Sequence, residues 1–302
     1  MLSRDPLMGS LFLEIRMIPV IDLKSPYALQ HINDAYTTVG FAVFTNAISE
    51  IEQTDMECWF DEMKLFFELD LDTKKKYPYE GDTNLGYSVV GDENVDPTAP
   101  KDMKESFNYN NQRMPEKLWP TELNGFKANA LQSITIADKL TLRILGMFDE
   151  ILESGTTLVD AHMQPFNTTR VIHYPAYTGH LEDRQMRIGE HSDYGTITLL
   201  WQINDVPGLQ VQDLQGVWHP VPYAKDGIVC NIGDLLQRWT NDYFKSTKHR
   251  VVNDHIDKTR YSMPHFVDPT PGTMIKNLMG GDDKYEPIES LDYLKWRLAQ
   301  SY

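Results

Sequence analysis

The 302-residue sequence has only two cysteines, Cys58 and Cys230. Two are too few for a disulfide framework, and their spacing is not that of a zinc finger, as suits a reducing compartment. No apolar run reaches about 18 residues, which argues against a membrane-spanning helix. Arg4, Asp5, Glu14 and Arg16 interrupt the apolar stretch that a secretion signal would need. Positive charge is also scarce. Against 44 Asp plus Glu stand 28 Lys plus Arg, giving a net charge of -16, the wrong sign for phosphate backbones or anionic lipid. The expectation is a cytoplasmic protein with no nucleic-acid or membrane partner. Internal repeats and low-complexity segments are lacking, which excludes solenoids, and nothing in the sequence signals an oligomeric state.

What is present reads as two halves. Residues 18–23 and 39–44 are short, β-rich and bounded by Pro or Gly, so they read as strands with helices between and after them. Ile48, Ile51, Trp59, Met63, Phe66 and Phe67 recur at helical spacing, and a second long amphipathic pattern runs from 121 to 153. Residues 79–120 are rich in Gly, Asn, Asp and Pro and read as a long ordered loop of the kind that covers a site. After Thr168 the rhythm changes. Nine short runs (169–175, 187–193, 196–202, 208–213, 217–222, 227–232, 245–252, 259–267 and 272–276) predict a β-sandwich or jelly roll. A last amphipathic stretch, 288–298, predicts a helix.

Side chains two apart on a strand share a face, so His191 and Asp193 project together. His249, far along the chain, supplies a third donor. Two imidazoles and one carboxylate form the facial triad of non-haem Fe(II) oxygenases, which leaves open positions for other ligands. A catalytic zinc can use the same donors, so the triad alone does not choose between oxygenase and hydrolase. Arg260 and Ser262 again lie two apart, and a guanidinium beside a hydroxyl is suited to grip a carboxylate.

The runs His191-Ser192-Asp193-Tyr194-Gly195-Thr196, Pro207-Gly208-Leu209-Gln210-Val211, Asn231-Ile232-Gly233-Asp234, Lys245 to Val251 and Arg260-x-Ser262 resemble, in order and spacing, the isopenicillin N synthase-like family of Fe(II)/2-oxoglutarate-dependent dioxygenases. Ile18 to Leu23, Gly86-Tyr87 with Gly91, and Lys104-Glu105-Ser106-Phe107 are similar to that family's N-terminal signatures. The resemblance implies an α+β fold whose mainly β core is a double-stranded β-helix, with a helical N-terminal region (1–155) packed on a core with a C-terminal helix (156–302) as one compact unit. It also implies Fe(II) on His191, Asp193 and His249, with 2-oxoglutarate and O2 as cosubstrates. Arg260, Ser262 and Tyr174 would hold the distal carboxylate of 2-oxoglutarate. The implied reaction abstracts hydrogen from a small molecule, ending in hydroxylation, desaturation or cyclisation, and releases succinate and CO2.

Two departures stand out. Ile172 replaces an Asn found in many members, and Asn46-Ala47-Ile48 replaces Asn-His-Gly. For the substrate the candidates are Arg170, Tyr87, Phe107 and Trp239; Arg170 shares a face with Tyr174 and would favour a carboxylate, unless it belongs to a buried ion pair. His31, His162, His173, His180, His219, His255 and His265 read as structural, Cys230 as core, and Asp282-Asp283 as a surface turn. Two other readings remain open: an iron oxidase on the same scaffold that does not use 2-oxoglutarate, and a noncatalytic small-molecule-binding relative.

Overall fold

A computed structural model describes residues 18–93, 99–164 and 166–301. Arg4, Asp5, Glu14 and Arg16 lie outside these residues. Val20–Asp22 (β1) and Phe41–Thr45 (β2) pair in parallel across the helix Ala28–Thr38 (α1). Ser49 caps Glu50–Glu68 (α2): its hydroxyl accepts from the Glu52 amide while the Glu52 carboxylate accepts from the Ser49 amide. Met56, Trp59, Met63, Phe66 and Phe67 form the buried stripe of α2. Ile51, expected on that stripe, is exposed. At about 100° per residue it falls about 120° from the stripe's centre.

The expected loop over 79–120 is corrected. After the short helix Leu71–Lys74 (α3), this segment contains two strands, Gly86–Ser88 (β3) and Glu105–Tyr109 (β4), both wholly buried, and a 3-10 turn at Glu116–Leu118. Phe126–Leu152 (α4), starting later than the pattern from 121 suggested, packs on α1 and α2, and Thr157–Ala161 (α5) packs on α4. The strand-rich half then follows: Thr168–Tyr174 (β5), Ile188–His191 (β6), Ile197–Gln202 (β7), Leu209–Gln212 (β8), Trp218–Pro220 (β9), Ile228–Ile232 (β10), the helix Asp234–Trp239 (α6), His249–Val251 (β11) and Arg260–Val267 (β12). Met274–Ile275 (β13) pairs with Ile288–Glu289 (β14), and Ser290–Ser301 (α7) ends the described chain.

Two sheets face each other. One has eight strands in the order β1-β2-β10-β7-β12-β5-β4-β3, the other four in the order β6-β11-β8-β9. This is the jelly-roll core. Strand alternation sorts the large sheet's side chains into two cores. Ala42, Phe44, Phe107, Val171, Leu199, Trp201 and Cys230 lie under the helices. Phe41, Val43, Ile172, Tyr174 and Val229 turn the other way and meet Ile188, Leu209, Val211 and Val251 of the small sheet. The inner face also lines a cavity of about 340 Å³.

Candidate active site

At the cavity, β6 delivers His191, the loop after it delivers Asp193, and β11 delivers His249. His191 and His249 are direct cross-strand partners, with ring centroids 4.2 Å apart. Asp193 Oδ1 lies 3.9 Å from His191 Nε2 and 3.7 Å from His249 Nε2, and one donor atom from each residue falls within 4.8 Å of the others.

Each donor is aimed by a second contact. The Nδ1 atoms of His191 and His249 face the carbonyls of Gly189 (2.9 Å) and Thr247 (3.2 Å), which turns both Nε2 atoms inward. Asp193 Oδ2 accepts from Thr198 Oγ1 at 2.6 Å and Asn231 Nδ2 at 2.8 Å, leaving Oδ1 for the cavity. Burial, then the neighbouring His249, pushes His191 down to about 4, so its imidazole is neutral at pH 7. Burial alone would push the Asp193 carboxyl up, but the two histidines and its hydrogen bonds hold it below the usual carboxylate value. A neutral His191 imidazole and an ionised Asp193 carboxylate are ligand forms that a divalent metal requires.

Glycines let the supporting loops approach. The Gly233 amide donates to Thr196 O and the Asp234 amide to Asp193 O, so the first turn of α6 clasps the loop that carries Asp193. A Cβ on Gly233 would collide with the backbone of Gly195, and one on Gly195 would lie 2.5 Å from Val267 O. Asp234 adds side-chain ties to Ser192 Oγ (2.9 Å), to Ser246 Oγ (2.5 Å) and to Arg297 of α7.

Further along the same cavity, β12 and β5 form a polar cradle. Arg260, opposite Tyr174, is 1% exposed; its Nη1 donates to Ser262 Oγ at 3.2 Å, and its Nη2 is buried with no partner. The guanidinium lies 4.9 Å from the Tyr174 ring centroid, and Tyr174 Oη is 3.4 Å from Ser262 Oγ. An orphaned guanidinium nitrogen beside two hydroxyls fits a carboxylate from the cavity. Arg187, also fully buried, packs behind the same ring and donates to Ile256 O. Ile172 lines the cavity between Arg170 and Tyr174 with a hydrocarbon surface. The other departure lies elsewhere: Asn46, at φ +53°, donates to Asp22 Oδ1 in the turn that enters α2.

The expected substrate contacts divide. Arg170 lines the cavity but its Nη1 binds Glu93 Oε2 at 2.7 Å, while Lys104 Nζ binds the same oxygen at 2.5 Å. Burial would raise the Glu93 carboxyl, yet these two cations hold it well below its ordinary range. Tyr87, Phe107 and Trp239 are corrected. All three are buried in the helix-side core, away from the cavity lining. Strand parity explains Phe107: Ser106 turns to Glu93, so its neighbour must face α2, where it meets Phe66 at 5.0 Å. Tyr87 donates its hydroxyl to Glu105, and Trp239 packs beside His162. Thr198, Lys104, Arg113 and Asp268, all cavity-lining, were not singled out from sequence. Extending the Arg260-x-Ser262 alternation would have reached Asp268.

The sequence pattern of the 2OG-Fe(II) oxygenase superfamily matches residues 166–269, and that of a non-haem dioxygenase N-terminal region matches 18–124. The chain is 32% identical to a protein named proline hydroxylase buaE from Petromyces alliaceus, over 91% of this chain and 93% of that one. It superposes on a full-length Neurospora crassa protein crystallised in complex with alpha-KG at a TM-score of 0.84, with 30% identity over 94% of this chain and 96% of the other. The same Neurospora protein with alpha-KG and thymine gives 0.82, with 30% identity over 94% and 97%.

Proposed function

This chain belongs to the 2OG-Fe(II) oxygenase superfamily, an enzyme that oxidises a small molecule with Fe(II), 2-oxoglutarate and O2, and from that premise we propose the division of labour among its residues. His191, Asp193 and His249 hold the iron on one side. Arg260, Ser262 and Tyr174 hold the distal carboxylate of 2-oxoglutarate. The observation that carries this reading is the pairing of a free Asp193 Oδ1 between two Nε2 atoms with an orphaned, buried Arg260 Nη2 in the same cavity.

When bound, the iron and cosubstrate supply the oxidising power that removes a hydrogen atom from the substrate, with succinate and CO2 as by-products. The protein's part is positional. Thr198 and Asn231 fix one Asp193 oxygen so that the other faces the metal. Ile172, Leu209 and Val251 present hydrocarbon to the cavity and keep water from its cosubstrate end. Lys104 and Arg170 meet at the Glu93 carboxylate and both line the cavity, and this cationic wall supports a carboxylate-bearing substrate.

The cosubstrate-to-metal absorption band, recorded anaerobically on adding Fe(II) and 2-oxoglutarate, tests the assignment. The wild type is expected to show it, and His191→Ala, Asp193→Ala and His249→Ala to lose both the band and succinate formation while remaining folded. Near wild-type turnover in any of the three, with metal content measured, would overturn the triad. Two free thiols, exposed Cys58 and buried Cys230, support a reducing compartment such as the cytosol. The net charge of -16 supports a small-molecule partner rather than nucleic acid or anionic membrane, and among the described residues no helix is long and apolar enough to cross a bilayer.

A further inference from the structure

One carboxyl in the cavity has no role in the site described above. Every second residue of β12 lines the cavity, from Arg260 through Ser262, Pro264 and Phe266, and the alternation continues past the strand to Asp268. Asp268 is 9% exposed. Its backbone is engaged, the amide donating to Asn167 Oδ1 at 3.0 Å and the carbonyl accepting from Phe166, but no described residue donates to its side chain. Arg113 is the cation whose charge acts on it, and its guanidinium is already taken up by Thr83 O (3.3 Å), Asn167 O (3.3 Å) and Thr168 Oγ1 (3.1 Å), with the Phe166 ring beneath it at 3.8 Å. No ion pair joins the two among the described residues.

A carboxyl nine-tenths buried without a donor is expensive, and a fold keeps such a group where a ligand completes it. We propose that Asp268 receives a protonated nitrogen of the substrate, and that the substrate is a small zwitterion whose carboxylate faces the Lys104 and Arg170 wall. The register sets the two poles apart. Arg170 lies level with Pro264, four residues before Asp268, a backbone separation of about 13 Å at 3.3 Å per residue, and all three line the same cavity. The unliganded carboxyl is also in a receptive state: burial foremost, with nearby Asp193 pushing the same way against Arg113, raises it to about 7. A cation brought beside it favours the ionised form.

The inference rests on the oxygenase assignment, and its test separates the two. Wild type loaded anaerobically with Fe(II) and 2-oxoglutarate is titrated calorimetrically, and by its charge-transfer band, with the common amino acids, with the des-amino and N-acetyl forms of any that bind, and with thymine. At least one amino acid is expected to bind, and removing or acetylating its amine should weaken it by about ten- to hundredfold, as expected for a charged hydrogen bond. Asp268→Asn and Asp268→Ser should lose a similar factor for the amine form yet bind the des-amino form as wild type does, with 2-oxoglutarate affinity retained. Equal amine affinity in both variants would overturn the proposal, as would binding of thymine or des-amino acids alone, or of nothing in the panel. Because the des-amino comparison needs no mutation, it stands even if a variant misfolds. Failure of the wild type to bind 2-oxoglutarate would instead bring down the site assignment, and the proposal with it.

Discussion

Thr198 and Asn231 both donate to one oxygen of Asp193, and the unequal use of its two oxygens is what makes a common carboxylate a directional ligand. Arg260 shows the same economy, with Nη1 tied to Ser262 and Nη2 left for an incoming anion. Arg260→Lys should therefore weaken 2-oxoglutarate binding by about 1.5–3 kcal/mol, because an ammonium cannot reproduce the planar fork. An unchanged dissociation constant for 2-oxoglutarate, read from the anaerobic absorption titration, would remove Arg260 from the cradle. Asp268 yields a prediction about stability. Its folded value of about 7 lies above the ordinary 3.8, so the folded protein holds this proton more tightly than the unfolded chain does. Stability contributed by the neutral carboxyl is full below about 4 and is lost as pH rises through 7. In metal-free protein, Asp268→Asn should thus raise Tm more at pH 8 than at pH 5; an equal gain at both would show that the charge is not buried.

Short elements, not long ones, hold the metal-binding residues in place. The six-residue α6 has its first turn on the Asp193 loop, and Gly233 is where the two backbones pass too closely for any Cβ. Gly233→Ala should destabilise the fold by about 1–3 kcal/mol and lower Fe(II) affinity as well, measured by denaturant unfolding and metal titration. A variant with wild-type values for both would show that the clasp is slack. The sequence made β5, β6, β10 and β12 legible because each is a short β-rich run bounded by turn residues, and side-chain parity put Arg260 and Ser262 on one surface; it also paired His191 with Asp193, although Asp193 stands in the loop just past β6. It left β3 and β4 hidden. Both lie in a stretch rich in Gly, Asn, Asp and Pro, and β4 begins beside Lys104 with Glu105 inside it, charges that are buried only because Glu93 and Lys74 pair with them. Tyr87, Phe107 and Trp239 were misread for a related reason. An aromatic near a signature motif carries no mark of which way it faces, and that depends, for Tyr87 and Phe107 on their strands and Trp239 on α6, on where the helices dock.

Across the whole molecule, strands from both halves of the chain share one sheet: β2 pairs with β10, and β4 with β5. A break at residue 155 would strip β5 and β10 of these neighbours and expose the face that α2 and α4 cover. Residues 156–302 expressed alone should therefore fail to form a cooperatively unfolding core, whereas the full chain should melt in a single transition; a folded fragment with its own sharp transition would contradict this. Charge is distributed on the same scale. The protein is strongly anionic, yet its cavity gathers Lys104, Arg113, Arg170 and Arg260, so an anionic cosubstrate meets repulsion outside and attraction within. The tie between Asp234 and Arg297 bears on how such an enzyme can be remodelled. α7 gives the cavity Leu291, Leu294 and Lys295, and is the natural segment to exchange when a new substrate is wanted. Its Arg297, however, is fastened to the carboxylate that also restrains Ser192, between two metal ligands, and Ser246, just ahead of the third. A grafted tail that omits this arginine would alter selectivity and loosen the metal centre in one stroke, so chimaeras should carry Arg297 over unchanged and vary only the three positions that face the cavity.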